Sequence, residues 1–112
     1  MMNVHELAAA CGFTYFNGEN IEASSVEGAY CCDLLSWVIG RALDTDALVT
    51  VMSNTNVIAV AVMAELPCVI FSEGVRPDAQ ALLKAQQNDV ILLSSQKTTY
   101  DTAVAINKAL NS

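Results

Sequence analysis

From Val26 to its end the chain alternates short β-branched runs with apolar stretches of helical length, and this alternation constrains the fold more than any other feature. Val26 to Cys32 reads as extended. Asp33 then opens DLLSWVIGRAL, where Leu34, Leu35, Val38 and Ile39 recur at helical spacing and predict one buried face. Ala47 to Met52 has the composition of a buried parallel strand, broken by Ser53-Asn54-Thr55. Asn56 to Leu66 is apolar nearly all round, and its alanines and its length favour a buried helix. After Pro67 come the strand Cys68 to Phe71, the loop Ser72-Glu73-Gly74, and the helix DAQALLKAQQN opened by Pro77 and Asp78. Val90 to Leu93 is the last strand. Thr98, with Asp101 three residues on, caps a final helix whose stripe is Ala103, Ile106, Ala109 and Leu110.

Connections of this length cannot be hairpins, so the strands run parallel through right-handed crossovers and helices cover both sheet faces. The expected fold is α/β, three-layered, with a mainly parallel central sheet. Ahead of it, Val4 to Cys11 has helical spacing between a capping Asn3 and a terminating Gly12, and the strand FTYF follows, turning at Asn17-Gly18. At 112 residues, with no linker, low-complexity tract or repeat, residues 1–112 are read as one domain around one core.

Hydrophobic residues make up 54% of the chain and charged residues 15%, a more apolar balance than a soluble domain ordinarily carries. The longest apolar run, Val57 to Ala64, is far short of the roughly 20 residues that cross a bilayer, so the surplus points to a subunit interface, a homodimer above all. Met1-Met2-Asn3 leads into VHELAAAC with no leader pattern, and a cytoplasmic protein is expected. A net charge of −7 repels polyanions, which argues against nucleic acid and anionic membranes as partners. Cys11, Cys31, Cys32 and Cys68 form no CxxC pair and accompany a single histidine, so reduced, mostly buried thiols are expected and no metal site.

No phosphate-binding GxxxxGK[ST] or GxGxxG is present, and no cofactor is implied. His5 lies beside Glu6 in the first helix, away from every strand end, and reads as a surface histidine. Cys31 and Cys32 point to opposite faces of a strand, so packing roles are expected of both. Asp33 fits a helix N-cap and would also set a carboxylate, with Ser36, beside a ligand. The polar loops Ser53-Asn54-Thr55-Asn56, Ser72-Glu73-Gly74 and Ser94-Ser95 follow successive strands, and a parallel topology brings them to one sheet edge, where they are either a small-molecule pocket or plain solvated loops. Nucleophile, base and orienting group cannot be named together, so no catalysis is expected.

GAYCCDLLSWVIGRA, the following LVTVMSNTNVIAVAVMAELPCVIFSEGVRPD and the terminal amphipathic helix resemble the DRTGG domain family. The likeness spans nearly the whole chain and is most specific at Asp33-Leu34-Leu35-Ser36, at Asn56 with VIAVAV, and from Gly74 to Pro77. Members of that family stand alone in bacteria and archaea or serve as modules of phosphotransacetylases and regulated pyrophosphatases. The resemblance implies a fold similar to the N-terminal domain of HPr kinase and a regulatory role alongside a metabolic enzyme or a nucleotide or phosphorylated metabolite; without a P-loop, a kinase label does not carry over. Its matched positions are Gly28, Tyr30, Asp33, Ser36 and Asn56. Asn54-Thr55 stands where relatives often carry His-Pro, and Ala29 replaces a common second glycine, so no histidine-dependent function is expected.

Overall fold

In a computed structural model that describes residues 2–112, Asn3 starts the fold through local hydrogen bonds. Its side chain accepts from the Glu6 amide while the Glu6 carboxylate accepts from the Asn3 amide, a reciprocal capping box. Helix α1 (Val4–Cys11) follows the short β1 (Met2–Asn3) and ends at Gly12, whose φ of 72° lies in the left-handed region that glycine enters without strain. Next come β2 (Thr14–Asn17), β3 (Ser25–Val26) and β4 (Gly28–Cys31). The stretch expected to be one extended segment from Val26 is thus two strands: β3 pairs antiparallel with β1, and β4 joins the main sheet. The remainder alternates as the pattern requires: α2 (Leu35–Arg41), β5 (Asp46–Thr50), α3 (Thr55–Met63), β6 (Val69–Phe71), α4 (Ala79–Gln87), β7 (Leu92–Ser94) and α5 (Thr99–Leu110).

The main sheet has the order β2-β7-β6-β5-β4, with β4 to β7 parallel and β2 antiparallel at the far edge. Because β4, β5, β6 and β7 follow one another across the sheet, their right-handed crossovers place α2, α3 and α4 on one face. Helices α1 and α5 cover the other, giving the expected three layers.

Strand parity divides the core accordingly. Ala47, Val49, Cys68, Ile70, Ile91 and Leu93 meet Leu7 and Ile106 on one side; Leu48, Val69, Phe71 and Leu92 meet Val38, Ile58 and Ala81 on the other. Each fully buried large side chain of this kind stabilises the fold by roughly 1.5–3 kcal/mol.

Two elements depart from the sequence expectation. The apolar face of α2 is only partly used: Val38 is buried, but Leu34 is 52% and Ile39 47% exposed, because the helix connects the last two strands at the end of the sheet and packs chiefly on α3. His5 is half-buried instead of a surface residue. Its Nε2 lies 2.7 Å from the Ile21 carbonyl, which can only accept, so Nε2 carries the proton and Nδ1, 2.6 Å from the Tyr15 hydroxyl, accepts from it in the neutral ring. It ties α1 to β2 and to the loop that follows.

Candidate functional site: the carboxyl ends of the parallel strands

All four parallel strands end at one edge of the sheet, and the polar loops expected there are found there. Asn54 caps α3 by accepting from the Asn56 amide at 3.0 Å, and the Ser53 carbonyl accepts from the Asp78 amide at 2.9 Å, joining the loop after β5 to the start of α4. Asn56 itself is exposed in the first turn of α3.

Between β6 and β7 the chain changes face, since α4 follows β6 on one side and α5 follows β7 on the other. Such a switch point opens a crevice that many α/β proteins use for a ligand. Here the loops are joined by their own hydrogen bonds. The Glu73 amide donates to the Lys97 carbonyl at 2.8 Å, Gly74 to the Ser95 carbonyl at 3.1 Å, and the Ser72 and Thr99 hydroxyls meet at 2.7 Å. The Glu73 carboxylate accepts from the Thr99 amide at 2.8 Å, so a side chain of the protein holds a first-turn N–H of α5 of the kind an anion would otherwise take. Glu73 adopts a φ of 61° to do so, left-handed backbone that costs a non-glycine residue on the order of 1–3 kcal/mol. Beneath it the Ser95 and Thr102 hydroxyls pair at 2.8 Å, fully buried.

Asp33 does not cap α2. The N-cap position is Leu34, which offers no side-chain bond, and the Asp33 carboxylate turns across the sheet edge to accept from the Thr50 hydroxyl at 2.7 Å and the Val51 amide at 2.9 Å. One residue earlier than the cap position, it reaches the end of the neighbouring β5 before the first turn of its own helix. Asp33 thereby locks the exits of β4 and β5 together, a role the sequence carried no local signal for.

The ten residues singled out from sequence therefore do not form one cluster. Asp33, Ser53, Asn54, Asn56, Ser72, Glu73 and Gly74 share the carboxyl edge, with Ser36 exposed on the first turn of α2. Gly28 lies at the opposite end of β4, where it pairs with Asp46; a Cβ there would sit 2.8 Å from the Asp46 carboxylate, so close strand packing accounts for the glycine. Tyr30 is half-buried, packed on the α2 side of the sheet.

The cysteines are unbridged. Cys68 is fully buried and its thiol is pushed up to about 12 by that burial. Cys31, expected to pack inside, is exposed on the outer strand; partial burial, then the negative charges of Asp33 and Cys32, raise its pKa and make it a poor thiolate. Burial likewise raises Cys11, with Lys97 opposing. Among the described residues no helix is long and apolar enough to cross a membrane.

Fold and strand-end loops together define a three-layer α/β domain whose switch-point loops are joined by their own hydrogen bonds. The chain belongs to the DRTGG domain family, matched over residues 6–109. Among solved structures it is similar to the CBS and DRTGG domains of the regulatory region of Clostridium perfringens pyrophosphatase, complexed with the activator diadenosine tetraphosphate. The TM-score is 0.73 at 10% identity, over 96% of this chain and 46% of that one, so this chain spans about half of the larger regulatory region. No curated protein matches the chain.

Proposed function

We propose that this protein is a non-catalytic, cytoplasmic regulatory domain that works by association of two copies of itself, alongside a metabolic enzyme. The observation that carries this reading is the apolar surface around α2, where Leu34, Trp37, Ile39 and Leu43 are 52%, 48%, 47% and 64% exposed. Large apolar side chains grouped on one short segment of a small domain are the usual mark of a protein interface. The similarity to a domain from a regulatory region supports the same role. Sedimentation velocity on the purified chain tests it: a dimer at about 10–100 micromolar is expected, as for other interfaces of modest area, and a monomer throughout that range would overturn it.

A second reading, a small-molecule sensor, draws on the activator bound by the pyrophosphatase region. Against it stand the net charge of −7 and a strand-end crevice across which the Glu73, Gly74 and Thr99 amides are already engaged within the protein. Diadenosine tetraphosphate added at 1,000 times a true dissociation constant would stabilise the native state by about 4 kcal/mol, so a thermal-shift titration separates the readings. No shift is expected here.

A further inference from the structure

Resting on the association reading, we infer that the interface is the free edge of β4, paired antiparallel with β4 of a second copy into one sheet continuous through both. The Gly28 amide donates to the Thr45 carbonyl and the Cys32 amide to the Val49 carbonyl, both toward β5. Alternation along a parallel ladder then turns the N–H and C=O groups of Ala29 and Cys31 away from the sheet. Both residues are exposed, and beside them lies a cleft of about 270 Å³ bounded by Ala103, Ile106 and Leu110 of α5.

On this edge only the flanking carboxylates Glu27 and Asp33 oppose pairing. Between Glu27 and Asp33 the strand carries no charge, no proline and no bulge, the devices by which monomeric proteins blunt exposed strands. An uncharged strand also has nothing with which to select an oppositely charged foreign partner. A strand paired antiparallel with itself about a two-fold axis is complementary by construction and closes after two copies. Pairing of β4 with β2 of another copy would instead run on into a filament, and the bulge in β2 opposes it.

The register that uses every outward-facing group sets Ala29 of one copy opposite Cys31 of the other. Tyr30 then faces Tyr30 in the closer, non-hydrogen-bonded pair on the α2 side, where cross-strand aromatic pairs add stability. Four residues of strand bury too little for a stable dimer, which needs about 800 Å² per partner. Leu34 and Trp37 on the segment that follows β4, and the cleft beside α5, supply the remainder.

Proline at position 29 separates the edge from the rest of the surface. Its missing N–H faces away from β5, so the internal ladder is kept while the outer edge loses a donor and gains a ring. With one bond lost on each side of the two-fold, Ala29→Pro should weaken association by about 10- to 100-fold. Circular dichroism checks that it folds; if it does not, Cys31→Lys, which sets charges on the edge without touching the backbone, takes its place and should weaken association comparably. A wild-type dimer that a folded variant leaves at full affinity would overturn the edge pairing and leave association through α2 standing. A monomeric wild type would overturn the association itself.

Discussion

At one edge of the sheet β2 runs antiparallel to β7 and carries a bulge at Phe16, where its register slips between Tyr15 and Asn17. The extra residue is put to use: the Phe16 ring packs edge-on against Phe71 with centroids 6.0 Å apart, and the Arg76 guanidinium lies 5.2 Å above it. Tyr15 is held by His5, and the Asn17 amide donates to the Val90 carbonyl at 2.8 Å. At the opposite edge β4 is regular, uncharged and uncovered. One edge carries a bulge and the other is regular and open, and a bulge is one of the devices that blunt an exposed strand.

The largest expected effect lies at the bulged edge. Gly18, at φ 103°, ends β2 so close to Ile91 that an added Cβ would stand 2.8 Å from its side chain and 3.0 Å from its Cα. Gly18→Ala combines backbone strain with overpacking and should destabilise the fold by roughly 2–4 kcal/mol in urea unfolding, with no change in the association constant of the folded fraction. A loss below about 0.5 kcal/mol, the size of an ordinary surface substitution, would show that this edge yields easily and would weaken the contrast.

Asp33 gives the intermediate case, because it braces the open side where β4 and β5 leave the sheet. Asp33→Ala strands the Thr50 hydroxyl and the Val51 amide and should cost about 1–3 kcal/mol. Asp33→Asn keeps an acceptor oxygen and loses only the charge assistance, so a cost of about 0.5–1 kcal/mol is expected. Equal losses from the two would mean that the charge, and not the shape of the acceptor, sets the brace.

Thiol labelling gives the smallest effect and probes the two environments side by side. Cys31 should react with iodoacetamide in the folded protein and Cys68 only on unfolding. The raised pKa of Cys31 means that little thiolate is present at neutral pH, so its rate should climb as pH passes the ordinary thiol value of 9.0. Raising protein concentration through the association range should slow Cys31 several-fold if β4 is the interface. For Cys68 the sign is that of a group raised on folding from 9.0 to about 12: its contribution to stability is whole below pH 9 and is lost as pH rises toward 12. A midpoint independent of pH across that window would contradict it.

Much of this molecule was legible one element at a time. The capping residues Asn3, Asp78 and Thr98 act on amides within three positions of themselves, and the alternation from Val26 onward fixed the three layers, since parallel strands admit few connections. Asp33 defeated the same reasoning. A carboxylate ahead of a helix looks like a cap from sequence, yet its bonds go 17 and 18 residues along the chain.

What the sequence by itself determined is therefore the fold class, the two core faces and the gathering of the polar loops at one sheet edge, because period and cap chemistry are local and strand direction follows from connection length. Only the tertiary structure decided that β2 turns antiparallel, that His5 bridges Tyr15 and Ile21, that Glu73 holds an amide at the start of α5, and that β4 is left bare. Each of these depends on which distant segment comes to lie beside a given residue. A hydrogen-bonding group takes the nearest partner in space, and nearness in space across a sheet is set by the packing of every layer at once.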